Sequence, residues 1–211
     1  KDGLRMIYTA HGFHFYNGAP KKNWIIYYPI EKFMSRYTDD LITITEEDYK
    51  LARDRNFMGN IHHVHGVGVN TDKFVKLSEE DRQKLRLDKG YTDEFIILCT
   101  GELNKNKNQA KLINAMKEVV KKHPEAKLLL AGNGPEHDNL VKLIEDLNLG
   151  DNVELLGYRT DIQDYVNICD LVVSASYREA LPLNIMEAMI CGKPVIASDN
   201  RGHRELIKNN K

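Results

Sequence analysis

The sequence predicts an α/β protein with two helix-covered parallel sheets, on three observations. Short apolar runs rich in β-branched residues alternate with helical patterns along the chain. Those runs are short and mostly apolar, as the strands of helix-covered parallel sheets are. A stretch over 66–90, rich in glycine and charge, separates three such runs from five. The simplest reading is two α/β units: an N-terminal unit over 1–75, a linker region over 76–93 and a C-terminal unit over 94–211.

The elements follow in order. LRMIYTA (4–10), DLITIT (40–45) and NIHHVHG (60–66) read as strands. EEDYKLARDR (46–55) reads as a helix with Thr45 as its N-cap. Trp24, Tyr27, Tyr28 and Phe33 read as the packing face of an earlier helix, with a lipid-facing surface as the sharper alternative. A charged helix near 78–87 precedes the second alternation. There the strands are EFIILCTG (94–101), AKLLLAGNG (126–134), NVELLG (152–157), DLVVSAS (170–176) and KPVIAS (193–198). The helices between them are 108–123, 135–149 with Pro135 in its first turn, 161–169, and about 182–191 with Pro182 in its first turn. HRELIKNNK ends the chain inside a helical pattern, and the start lacks a Met, so a piece of a longer protein is expected.

Composition narrows the function. The 211 residues carry a net charge of −1, which does not call for a nucleic-acid partner. No run of eighteen apolar residues offers a membrane span, and KDGLRMIYTAHG lacks the apolar core of a secretory signal. Cys99, Cys169 and Cys191 are odd in number and far apart, which points to reduced, packed thiols in the cytoplasm. His63 and His65 share a strand face and are geometrically able to ligate zinc, but the sequence offers no third or fourth ligand, so packing is expected.

Ligands of open parallel sheets sit at the carboxyl ends of strands. Those ends carry HGFHF, GELNKNKN, GNGP, GYR and SYREALPL. Gly101, directly after a strand, admits close backbone approach, and Lys105 and Lys107 follow at the mouth of a helix. An ordinary glycine turn with solvated lysines is the plainer reading. Glu179 falls in a loop before the Pro182 helix, and Glu187 falls inside it among Leu183, Met186, Ala188, Met189 and Ile190. That helix is expected to be mostly buried, so the Glu187 carboxylate needs a cation, hydroxyl groups, backbone or a ligand as partner. Arg201, His203 and Arg204 either touch a phosphate or cap the last helix.

EALPLNIMEAM followed by CGKPVIAS, together with GELNKNKN, AGNGP, LGYRTDIQDYVNICDLVVSAS and GVGVNTDKF in this order, resembles the retaining glycosyltransferases of family 4, which have the GT-B fold. YTAHGFHFYNGAP and the residues after it resemble the N-terminal domain of capsule and exopolysaccharide members. The resemblance implies an enzyme moving a sugar from a nucleotide-diphosphate donor, with UDP expected, to a glycan or polyprenyl-lipid-linked acceptor. It implies no cofactor and no metal, and a cytoplasmic location with a peripheral seat on the membrane. By resemblance, Lys107 holds the diphosphate, Glu187 the ribose hydroxyls and Glu179 the sugar. Gly101 belongs to the phosphate loop, Ala180, Leu181 and Leu183 face the sugar and β-phosphate, and Tyr158 and Arg159 hold the base. His11 lies where the family's N-terminal domain offers a histidine to the sugar. Three residues depart from the family pattern: Glu102 replaces an Arg, Asn108 a Gly, and Ala180 a Gly. The resemblance also implies that the family's N-terminal glycine loop precedes residue 1 and a closing helix follows residue 211. The alternative is a degenerate relative that binds a nucleotide sugar without turnover. A glycosidase fits poorly, because a phosphate cradle has no place beside its carboxylate pair.

Overall fold

A computed structural model describes residues 3–207. The chain divides into two compact units, the first running up to Gly68 and the second spanning Val69–Leu206. The expected boundary near 75 is thus drawn some residues earlier.

In the first unit, β1 (Ile7–Ala10), β2 (Asp40–Thr43) and β3 (Asn60–His63) form a parallel sheet in that order. Helix α1 (Lys21–Met34) lies between β1 and β2, and α2 (Glu46–Asp54) between β2 and β3. Thr45 caps α2 as expected, its hydroxyl accepting from the Asp48 amide at 3.3 Å. Phe13, Phe15 and Phe57 form the core with Leu41, and Trp24 and Tyr28 of α1 pack against it. Tyr27 and Phe33 stay exposed, so α1 packs through only half of the face expected of it. His62 engages Asp40 at 2.9 Å, while His63 pairs with Glu46 at 3.3 Å and stacks on Tyr49.

The second unit opens with α3 (Glu79–Asp88), followed by β4 (Phe95–Thr100), α4 (Gln109–Val119), β5 (Ala126–Ala131), α5 (His137–Asp146), β6 (Val153–Gly157), α6 (Ile162–Ile168), β7 (Leu171–Ser174), α7 (Leu183–Ile190), β8 (Val195–Ala197) and α8 (Arg201–Leu206). The expected helical pattern beyond residue 207 lies outside the described residues. All pairings are parallel, in the order β6-β5-β4-β7-β8. The chain winds outward from β4 to β6, then returns to β7 on the other side. The order therefore reverses between β4 and β7, and their carboxyl ends flank a crevice.

Residues 76–93, expected as linker, contain α3, which is fastened to this sheet. Buried Arg86 donates to the carbonyls of Ile168 and Glu94 at 3.0 and 2.6 Å, and reaches Asp170 at 3.2 Å. Asp170 also accepts from the Ile96 amide at 2.8 Å. The core is Ile97, Leu128, Leu130, Ile113, Met116, Leu140 and Ile144, where β4, β5, α4 and α5 meet.

Two helix starts shift. Pro182 is the N-cap of α7 instead of its first helical residue. Pro135 sits two residues ahead of α5, because the Glu136 amide is drawn to the Leu103 carbonyl at 2.9 Å. Helix α7 is also less buried than its sequence suggests. Ile185 and Ala188 face the sheet, while Leu183, Met189 and Ile190 are 39–47% exposed.

Candidate functional site

Two loops meet over the β4–β7 crevice. After β4 the chain turns at Gly101, whose φ of +142° favours glycine. A Cβ there would lie 3.4 Å from Lys107 Cε, so the bare Cα leaves the lysine its path. Gly132, after β5, presses on this turn from below: a Cβ on it would lie 2.0 Å from the Gly101 carbonyl oxygen. The Leu103 amide then donates to the Asn133 carbonyl at 2.9 Å. The phosphate-loop candidate is thereby fixed to the next strand's turn.

Asparagines tie this loop to the one after β7. The Tyr177 amide donates to the Asn106 carbonyl at 2.8 Å, and Asn106 Nδ2 donates to the Arg178 carbonyl at 2.9 Å. Asn108 adopts φ +55°, ψ +43°, the left-handed conformation that asparagine tolerates best after glycine. Its replacement of the family's glycine is therefore conformationally equivalent. Asn184, in the first turn of α7, donates to the Thr100 carbonyl at 3.1 Å and holds that helix against the end of β4. Sequence reading missed Asn106 and Asn184; the run N-K-N-K-N signalled turns but not which side chains would cross the crevice.

The crossing brings two predicted residues together. Lys107 Nζ lies 2.7 Å from Glu179 Oε1, both side chains largely buried. Glu102, exposed, accepts from Asn104 Nδ2 at 2.8 Å. Lys107 thus pairs with Glu179 and Glu102 with an amide. Ala180 and Leu181 are half-buried and Leu183 is exposed. No side chain caps the α7 N-terminus.

Glu187 is half-buried, and burial pushes its carboxyl above the ordinary range against the pull of Lys73. Among the described residues no side chain hydrogen-bonds this carboxylate, and Lys73 acts on it only through its charge.

Tyr158, after β6, is 75% exposed. Arg159 is committed to the protein: it grips Asp161 through Nε and Nη2 at 2.9 and 2.8 Å and covers the Tyr165 ring at 5.0 Å. Lys89 joins Asp161 at 2.6 Å, and these two cations, Arg159 foremost, hold that carboxyl well below the usual range. His11 is exposed, directly after β1 in the first unit.

The sequence profile described as "Glycosyl transferases group 1" matches residues 78–211. The "Putative glycosyltransferase EpsD" of Bacillus subtilis is 44% identical over 210 residues, 99% of this chain and 55% of that protein. An Escherichia coli UDP-Gal:alpha-D-GlcNAc-diphosphoundecaprenol alpha-1,3-galactosyltransferase is 27% identical, over 97% of this chain and 54% of that protein. The crystal structure of Anabaena HepE in complex with UDP superposes with a TM-score of 0.81 at 26% identity, over 97% of this chain and 56% of that one. This chain spans about half the length of the relatives it matches. Two parallel-sheet units, with Lys107 and Glu179 paired over the crevice of the second, are what the chain presents, and it belongs to the group 1 glycosyl transferases of the GT-B fold.

Proposed function

We propose that the second unit binds a nucleoside diphosphate sugar, with UDP as the nucleotide, and that the full-length protein transfers the sugar with retention to a glycan or polyprenyl-lipid-linked acceptor. Surface polysaccharide assembly is the setting this reading favours. One observation carries it: a largely buried lysine, Lys107, stands at the crossover of a parallel sheet beside the acid Glu179. Breaking a sugar–phosphate bond leaves negative charge on the nucleoside diphosphate. Lys107 and the uncapped N-terminus of α7 supply positive potential for that charge, so no metal is needed in this role. Glu187, half-buried and without a side-chain hydrogen bond among the described residues, suits the ribose hydroxyls as hydrogen-bond donors. Glu179, Ala180, Leu181 and Leu183 are assigned to the sugar and β-phosphate, Gly101 to the diphosphate and Tyr158 to the base. Arg159 shapes the base site through Asp161 more readily than by direct contact. His11 is assigned to the sugar by resemblance alone.

The relatives support the donor and acceptor classes: the E. coli protein acts on UDP-Gal and a lipid-linked acceptor, and HepE has been crystallised with UDP-glucose. Among the described residues no helix is long and apolar enough to cross a membrane. A peripheral seat is proposed instead, supported by Ile26, Ile30, Phe33 and Tyr37, exposed on or just after α1, with Lys22 and Arg36 beside them.

Calorimetric titration of the full-length protein with UDP tests this reading. Wild type is expected to bind, and Glu187→Ala to lose at least about tenfold in affinity, the worth of one buried hydrogen-bonded contact. No binding of UDP or GDP at millimolar concentration would overturn it. Donor bound but never consumed, with acceptor or water, would move the protein to the non-catalytic alternative.

A further inference from the structure

The turn from β8 into α8 is built against the Glu179 loop, and nothing in the E-x7-E pattern accounts for it. Gly202 is buried there, and a Cβ on it would lie 2.7 Å from the Ala180 carbonyl oxygen, 2.8 Å from the Glu179 carbonyl carbon and 2.8 Å from Glu179 Cβ. Two of those atoms are backbone, so an added methyl has no flexible neighbour to displace. Its φ lies outside the left-handed region, and only the lack of space requires glycine. On the other side of the loop, the Ser176 carbonyl accepts from Ser198 Oγ at 2.6 Å and from Asn200 Nδ2 at 3.0 Å. His203 completes the turn: its amide donates to Asn200 Oδ1 at 3.0 Å, and its Nδ1 donates to the Ser198 carbonyl at 2.6 Å. Asn200 and His203 are both over nine-tenths buried. The loop carrying Glu179 is therefore held at Ser176 by two hydrogen bonds and stopped at Glu179–Ala180 by the Gly202 backbone.

We propose that Gly202, with Asn200 and Ser198, is a positioning device that sets Glu179 against Lys107, and so decides how much of the lysine's charge is free for a diphosphate. It rests on the donor reading above. Glu179 competes with phosphate for Lys107, and whatever displaces Glu179 hands the lysine over. Glu179→Gln is accordingly expected to tighten UDP about fivefold, the worth of a partly buried ion pair. Gly202→Ala pushes the loop away and tightens UDP similarly. The double variant gains no more than either single one, because both act through the same pair.

The test is UDP titration across this double-mutant cycle, with a crystal structure of Gly202→Ala beside it. The expected structure shows the Lys107–Glu179 pair opened beyond about 4 Å, the outer limit of an ion pair. Asn200→Asp keeps the acceptor for the His203 amide but loses the donor to Ser176, and is expected to tighten UDP in the same direction. Additive effects in the cycle would overturn the inference, as would an intact Lys107–Glu179 pair in the Gly202→Ala structure. A wild type that binds no UDP would instead remove the donor reading on which the inference rests; the structure of the variant still reports whether Gly202 sets the pair.

Discussion

Asn108 shows how one residue joins backbone conformation to site geometry. It turns the chain into α4 in the left-handed region, and its Nδ2 reaches toward the Ala175 carbonyl at 3.4 Å. Asn108→Ala is expected to cost about 1 kcal/mol of stability, because an L-residue with a Cβ is disfavoured there, while Asn108→Gly stays within a few tenths. Chemical denaturation checks both. The residues of the crevice were legible to different degrees. Lys107 and Glu179 were singled out by the family resemblance, since by position alone a lysine after a strand-end glycine reads equally as an ordinary solvated turn. Their mutual pairing was not legible, since 72 positions separate them and only the sheet order brings them together. Glu102 looks misplaced beside a diphosphate site when only the sequence is in view, and its bond to Asn104 shows how a contact two residues away can occupy such an acid.

At the scale of elements, α7 concentrates the cost of function. Its sequence is apolar nearly all round, yet Leu183, Met189 and Ile190 remain exposed. Periodicity fails here because a helix this apolar has no polar face to mark which side meets the sheet. Glu187 remains half-buried with no side-chain hydrogen bond among the described residues. Its carboxyl binds a proton more tightly in the folded chain than in the unfolded one, so ionisation is disfavoured by the fold. That penalty is present in full above the raised folded pKa and disappears as pH falls below the ordinary carboxylate value of about 4.3. Glu187→Gln should therefore raise Tm at pH 7, by roughly 1–2 °C because the carboxylate keeps some access to water, with the gain vanishing near pH 4. Scanning calorimetry at both pH values checks the sign. A variant more stable but unable to bind UDP would mark Glu187 as kept for its ligand.

At the scale of the molecule, strand counts of three and five, the parallel sense and the helices between them were legible, because short, mostly apolar strands in strict alternation with helices leave few other solutions, even though β1 and β3 are largely exposed. The order β6-β5-β4-β7-β8 was not, since local pattern does not say where a chain doubles back. The assignment of 76–93 to a linker also missed what Arg82 and Arg86 do. A charged helix looks solvated in sequence, and only the fold shows their guanidiniums bound to Asp170 and to carbonyls at the end of α6. The three thiols are buried as expected, and burial pushes Cys99 and Cys169 up to about 12. In native protein at pH 8 none should react with iodoacetamide on the timescale that labels all three in urea, and mass spectrometry counts the adducts.

Lys107, at the reversal of the second sheet, is proposed to hold the diphosphate of the donor. The most direct measurement of this role is the affinity of the full-length protein for UDP relative to uridine, in wild type and in Lys107→Met. The phosphates should add at least about tenfold to the affinity of wild type and little to that of Lys107→Met, while uridine itself binds both alike. An undiminished phosphate increment in Lys107→Met would contradict the account.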